Sequence, residues 1–501
     1  MIRENGIVER PSKKILALYC CSAILIYAMA AWNSTGYFHA DEHFQILEFA
    51  NYKEGAIPAS ALAWEFGSQI RPGLQVAIAS LFINLLGSFG ITDPFLIATI
   101  LRSLAGTLSL LALWSIYRSN GHLLRTKASH HFYLASALLL WFLPFIGVRF
   151  SSETFSGSIF FIAVALMTGR SDRSRFQWMP IGSLLGLSFM LRYQAGILIA
   201  GLLLCWIWKD RAWQNIRFYL VLAGIAIGIF IGMLADRWLY DEWTFNAWEY
   251  ARINILEGKA SEFGTRPWHY YFGKVIEAAI LPIGMLVFGA IIAFWRRQWD
   301  HAFTWASMLF VLVHILIAHK ELRFLFPLVF MVPLAIAHLV QMDRFRWLRS
   351  PIVIAILLLI DLPLLLYNIT RPATDHVEAL RIAYGLSEHS PVVLFHSGED
   401  PLDPWGLKHS FYWREGRAEI VRVVSAADLP LDPTKLAIYY TSELSLQDRS
   451  PITGLDLITI HRTYPVWITE HFNLNNWVER TRMRAIYRIE RTDRPLPPVL
   501  Q

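Results

Sequence analysis

"ILALYCCSAILIYAMAAWNSTGYFHADEHFQ", residues 15–45, decides how this chain is read. Ile15 to Trp32 is an apolar run that approaches the roughly 20 residues of a membrane-crossing helix. Two adjacent carboxylates, Asp41 and Glu42, follow it closely. Far downstream a second charged group, "HKELRF" at His319 to Phe324, is wedged between two apolar runs. Charges held at membrane depth are costly, and so they mark a site.

Composition widens the same reading. Of 501 residues, 55% are hydrophobic and only 17% charged. The apolar residues come in blocks rather than in a 3.6-residue stripe, which predicts a mainly α, multi-spanning membrane protein. Candidate spans run from Ile15 to Trp32, Pro94 to Tyr117, Phe132 to Val148, Thr154 to Met167, Trp178 to Leu191, Ala195 to Trp208, Phe218 to Leu234, Val275 to Phe294, Phe303 to Ala318, Phe324 to Leu339 and Ile352 to Tyr367. The first is read as a retained helix rather than a cleaved leader, because the acidic pair follows it so closely. The three cysteines, Cys20, Cys21 and Cys205, all lie in apolar segments and imply no disulfide framework.

The formal charge of +6 does not point to nucleic acid. Lys and Arg gather in short loops: the N-terminus with Arg3, Arg10, Lys13 and Lys14, then Arg118 to Lys127, Arg170 to Arg175, Lys209 to Arg217, Arg296 to Arg297 and Arg344 to Arg349. The positive-inside rule places these in the cytoplasm. The opposite face then holds loops 33–73 and 235–274, the turns at Arg149 to Glu153, Arg192 and His319 to Arg323, and everything after Asn368. This parity leaves Leu74 to Gly90 as a partial, re-entrant or interfacial segment, or as one paired with an uncounted crossing, and gives about 11 full spans.

Two domains are expected: a transmembrane catalytic domain over residues 1–367, and an extracytoplasmic α/β domain over 368–501. The second is signalled by polar turns around strand-like runs, "PVVLFHS", "KLAIYYTS", "LDLITIH" and "MRAIYRI".

Each charged motif has a chemical reading and a plain one. A carboxylate such as Asp41 or Glu42 at a membrane-edge cavity serves as a general base when burial or a like charge raises its pKa. The plain alternative is a solvated acidic loop. His319, Lys320, Glu321 and Arg323 suit a lipid phosphate, since Arg grips it bidentately and Lys adds a point charge. Alternatively they are a charged turn stabilising helix ends. Glu153, in "RFSSETFS", sits among hydroxyls that can bond a sugar or cap the next helix. Arg192 tips a tight hairpin, as a phosphate ligand or a snorkelling side chain. Glu65 and Arg71 stand behind the acidic motif in "LAWEFGSQIRP". The Trp- and Tyr-dense loop from Asp236 to Phe272 suits sugar stacking, and suits an interfacial aromatic belt better. No metal-ligand spacing, P-loop or nucleotide-binding glycine pattern occurs, so no cofactor or metal is expected and a membrane-borne donor is favoured.

Taken together, "ADEHFQ", "WEF…IRP", "RFSSE", "DRWLY…FN…FGTRPWHYYF" and "HKELRFLFP" resemble the mannosyltransferases that extend lipid-linked oligosaccharides and GPI anchors, glycosyltransferase family 22 of the GT-C superfamily. The resemblance covers Asp41 to Pro327. It implies a GT-C fold and inverting transfer of mannose from polyprenyl-phosphate mannose to a glycan or glycolipid acceptor. It further implies a multi-pass location in a bacterial inner membrane or the endoplasmic reticulum membrane, with the site on the non-cytoplasmic face and membrane lipid around it. By position Asp41 resembles the family's catalytic base. The other charged motifs resemble its substrate-binding elements. The proline after Arg71 and the outer tail depart from many eukaryotic members and bear on the acceptor. The rival readings are a GT-C transferase for another polyprenyl-phosphate sugar and a transporter of lipid-linked glycans. A transporter would be expected to show repeated halves with broken helices near the midplane, and no such repeat is seen.

Overall fold

The computed structural model describes residues 10–169, 174–413, 418–424, 429–442, 455–473, 476–481 and 483–491. Arg3 and positions 170–173 of the basic loops lie outside them. The chain is mainly helical and divides into two compact units. One holds residues up to Ser34, Trp64–Thr92 and Ile97–Arg371; the other holds Thr35–Ala63, Asp93–Leu96 and the chain from Pro372 onward.

In the first unit the apolar blocks become helices. Among the described residues, five are long and apolar enough to cross a membrane: Lys13–Asn33, Pro94–Leu123, Ile216–Tyr240, Leu322–Val340 and Pro351–Thr370. Leu74–Ser88, Ser152–Thr168, Trp178–Leu191 and Ala302–Leu316 are apolar but shorter. Leu74–Ser88 is an uninterrupted helix of 15 residues. Three expected spans are broken at prolines, which donate no backbone hydrogen bond and clash with the preceding turn. Phe132 to Val148 becomes Lys127–Leu139 and Phe142–Gly147, which contains Pro144, and the Trp141 N–H freed between them donates to Asp361 Oδ1 at 3.2 Å. Val275 to Phe294 divides into Tyr270–Ala278 and Ile283–Arg297 on either side of Pro282. Phe324 to Leu339 begins as the 3₁₀ segment Leu322–Met331 around Pro327 and turns α-helical only from Val332.

Small residues set the helix packing, as expected where lipid removes the hydrophobic drive between helices and close contact must replace it. Gly182 and Gly186 of Trp178–Leu191 lie directly against Gly224 and Gly228 of Ile216–Tyr240, and a Cβ at Gly182 would collide with the Val221 carbonyl. Gly157 lets Ser152–Thr168 lie on the 3₁₀ segment, since a Cβ there would come within 2.7 Å of Pro327 Cα. That contact sets the start of one helix, with Glu153, beside the turn that carries Arg323. Phe160, Phe161, Phe303, Phe310 and Phe330 are fully buried in the core around it.

Among the described residues, the second unit contains a five-stranded sheet, order β2-β1-β3-β5-β4, with β1 (Val392–Ser397), β2 (Glu419–Arg422), β3 (Leu436–Thr441), β4 (Leu455–Arg462) and β5 (Ala485–Arg491). β1 pairs in parallel with β2 and β3, while β5 runs antiparallel to β3 and β4. All six residues of β1 are buried, as a central parallel strand covered on both faces requires. The acidic motif belongs to this unit. Thr35 O accepts the N–H groups of Ala373 and Thr374 at 2.8 and 3.2 Å, and Glu48 Oε1 accepts the Phe411 N–H at 2.9 Å. Glu48 also meets His43 Nε2 at 2.8 Å, with that ring stacked on Tyr37 and Tyr412.

Candidate functional site

The acidic motif folds as a single capped turn. His39 precedes the short helix Ala40–Glu42, and its Nδ1 accepts the Asp41 N–H at 3.3 Å. Glu42 returns the interaction, its Oε1 accepting the His39 N–H at 3.3 Å, which closes a capping box. The two carboxylates are therefore not equivalent. Glu42 is engaged in holding the turn, whereas the Asp41 carboxylate lies 3.4 Å from the His39 ring and keeps 23% of its side-chain surface exposed. The chain continues as a π-helical turn, His43–Leu47, a form found often at functional sites.

In the helical unit, three motifs far apart in the chain come together. Glu153 Oε1 is shared by Arg192 Nη1 at 2.9 Å and Arg323 Nη1 at 3.4 Å. Arg323 Nε reaches Glu321 Oε2 at 2.5 Å, and the other oxygen of Glu321 meets His319 Nε2 at 2.9 Å. Arg192 also donates to Ser152 Oγ at 3.0 Å. Glu153 and Arg192 are almost wholly buried. Each stands at a helix boundary: Ser151 caps Ser152–Thr168 through the Thr154 N–H, and Arg192 is the residue at which Trp178–Leu191 ends.

Lys320 meets backbone oxygens on both sides of the turn. Its ammonium donates to the carbonyls of Arg266, at 3.1 Å, and of Ile317, while Arg266 N–H donates to Ala318 O at 3.0 Å. His319 Nδ1 lies 2.7 Å from Gly264 O. Lys320 and His319 thus tie the aromatic loop to the charged turn, and burial lowers the Lys320 pKa. Counted together, Arg192, Lys320 and Arg323 against Glu153 and Glu321 leave one positive charge in excess.

Glu65 and Arg71 pair at 3.4 Å. The Arg71 carbonyl accepts from Tyr240 Oη at 2.9 Å and Asn246 Nδ2 at 3.0 Å, and the Gly73 N–H donates to Asp236 Oδ1 at 2.6 Å. Asp236 was not singled out by sequence, although a carboxylate near the end of an apolar helix is the signal for it. Tyr271 was also passed over among the aromatics of its loop. It is buried within the fields of Glu321 and Arg192.

The profile of the Alg9-like mannosyltransferase family matches residues 17–375, which include every charged motif described above. GPI alpha-1,2-mannosyltransferase 3 of Bos taurus is 23% identical over 314 residues, covering 62% of this chain and 55% of that protein. Its Xenopus laevis counterpart is 26% identical over 298 residues, covering 58% and 54%. The chain thus spans about half the length of these curated relatives. GPI mannosyltransferase 3 of Schizosaccharomyces pombe is 25% identical over 340 residues, covering 61% of this chain and 65% of that protein. Among solved structures, ArnT from Cupriavidus metallidurans bound to undecaprenyl phosphate superposes with a TM-score of 0.52 at 12% identity, covering 97% of this chain and 100% of that one. That likeness shows the fold, a multi-pass helical membrane architecture of the GT-C type with a small sheet domain. With the profile running from the first apolar helix through the basic turn, the chain belongs to the Alg9-like mannosyltransferase family.

Proposed function

We propose that this chain is an integral-membrane mannosyltransferase that moves mannose from polyprenyl-phosphate mannose to a glycan or glycolipid acceptor, with inversion, on the non-cytoplasmic face. The observation that carries the reading is the Glu153 oxygen shared by Arg192 and Arg323. Two guanidinium groups held by one buried carboxylate form a donor array suited to a phosphate. The names of the relatives supply the sugar, and the lipid phosphate bound to ArnT is of the class such an array would receive.

The chemistry is a direct displacement. Asp41 takes the proton of an acceptor hydroxyl as that oxygen attacks the anomeric carbon. The bond from that carbon to the lipid phosphate breaks, and the phosphate leaves with the electron pair. A phosphate is a stable leaving anion and needs no general acid. Arg323 and Arg192 stabilise its developing charge by preorganised donors. His319, Glu321 and Lys320 hold the turn that presents Arg323, and Glu65 with Arg71 bind donor or acceptor.

The test is transfer in proteoliposomes from a panel of polyprenyl-phosphate sugars to mannosylated lipid acceptors, wild type beside Arg323→Ala. We expect transfer from the mannose donor, and a loss on the order of 10² or more with Arg323→Ala at saturating donor. Near-normal turnover of that variant would remove the phosphate role. Transfer from a different sugar only would assign the chain another donor.

A further inference from the structure

Around the Arg71 segment, three buried side chains present polar atoms that find no hydrogen-bond partner among the described residues: both amide atoms of Gln75, the hydroxyl of Tyr193 and Oδ1 of Asn246. Each is more than nine-tenths buried, at 2%, 8% and 1% exposure. Leaving such groups unpaired costs free energy, and the cost is higher where little water reaches.

The three groups come from separate parts of the chain and border one frame. Gly73 lies so close to the Ile216–Tyr240 helix that a Cβ would sit 2.6 Å from Ala235 O, and its N–H is fixed by Asp236. Gln75 is in the first turn of the helix that follows. Asn246 spends its amide N–H on the Arg71 carbonyl and leaves its oxygen over. Tyr193 lies in the fields of Asp236 and Arg71, its ring 5.7 Å from that of Tyr250.

The chemistry of the set narrows the ligand. An anion site presents donors alone, and a hydrocarbon site presents neither donors nor acceptors. Here an amide offering both, a hydroxyl offering both and an amide oxygen offering only acceptance stand together, which matches a polyol whose hydroxyls both give and take hydrogen bonds. We infer that Gln75, Tyr193 and Asn246 form a hydroxyl-binding subsite for a sugar ring, framed by Asp236 and the Arg71 segment. The inference deepens the glycosyl-transfer reading and rests on it for the identity of the sugar.

Two substitutions delete only unpaired polar atoms: Tyr193→Phe and Gln75→Met. The probe is methyl α-mannoside, titrated in the millimolar range against purified full-length protein and read as thermal stabilisation. The subsite predicts stabilisation of wild type and its loss in both variants, whose own melting temperatures are unchanged or raised, because an unsatisfied buried group has been removed. No stabilisation of wild type, or equal stabilisation of all three proteins, overturns the inference. In transfer assays each variant should raise a KM on the order of tenfold with kcat little changed. The substrate whose KM rises, polyprenyl-phosphate mannose or the mannosylated acceptor, identifies which sugar occupies the subsite. An unchanged KM for both overturns it. Absence of any transfer by wild type would defeat the mannosyltransferase reading and leave the binding result to stand.

Discussion

The acidic turn at Phe38 to Gln45 and the basic turn at His319 to Phe324 carry the densest charge in the chain, and they are held in opposite ways. Asp41 and Glu42 are organised by a neighbour, His39, within the same turn. The basic turn is organised by distant residues: Glu153 and, through it, Arg192, then Gly264 and Arg266. A turn capped in this way is held in part by hydrogen bonds within a few residues of its own sequence. A turn knotted to three other segments cannot lose a member without disturbing them. Substitution in the first should therefore alter chemistry more than stability, and substitution in the second should alter both.

The sharpest use of that contrast is Asp41→Asn. Loss of a general base costs about 10²–10⁴ in rate. We expect such a loss in kcat with the melting temperature unchanged, since the asparagine keeps the backbone N–H that His39 accepts. A parallel fall in stability would break the contrast. Lys320→Met comes next. Removing the ammonium leaves the Arg266 and Ile317 carbonyls unsatisfied, at a cost of roughly 1–3 kcal/mol. Hydrogen exchange should quicken across residues 259–278, with a smaller loss of turnover; unchanged exchange would show that the loop is held by other means.

The sheet unit contains a third arrangement that should follow the basic turn. Glu399 accepts from His376 Nε2 at 2.9 Å and from Arg484 at 2.8 and 3.0 Å. The His376 hydrogen bond, then the Arg484 bond and charge, hold its carboxyl down to about 2, against the opposing effect of burial. A carboxylate with a depressed folded pKa contributes stability that is present above its ordinary value of 4.5 and is lost as pH falls toward 2. Melting of the sheet unit should weaken through that window, and Glu399→Gln should flatten the dependence while lowering stability at pH 7. A wild-type profile that stays flat between about pH 5 and 2 would contradict it. The smallest effect is expected from Glu42→Gln. The amide oxygen still accepts the His39 N–H, so rate should change by only a few-fold, on the scale of about 1 kcal/mol for one neutral hydrogen bond.

Hydropathy blocks made most of the helical unit legible, because residues facing lipid must be apolar whatever they pack against. What it hid were the breaks at Pro144, Pro282 and Pro327, where averaging over an apolar window ignores a missing N–H. Four of the five strands were visible as β-branched and aromatic runs. β2, Glu419–Arg422, was not: it is four residues long, at the sheet edge, and exposed at both ends. The charged residues of the basic turn stood out because their placement is expensive, and Glu153 and Arg192 stood out as charges at tight turns. Spacing could not show that the Lys320 ammonium meets the Arg266 and Ile317 carbonyls. Nor could it pair Asp236 with the Gly73 N–H, a bond between residues 163 positions apart. Nor could it show that Glu42 closes a capping box on the His39 N–H while the Asp41 carboxylate lies beside the His39 ring.

The central claim is direct mannosyl transfer from a lipid phosphate, and the measurement that tests it most directly is the stereochemistry of one turnover. Wild-type protein in proteoliposomes would be given polyprenyl-phosphate mannose of known anomeric configuration and a mannosylated lipid acceptor, and the new linkage assigned by NMR. The account predicts transfer with the opposite configuration at the anomeric carbon. Retention of configuration, or no transfer from that donor, would contradict it.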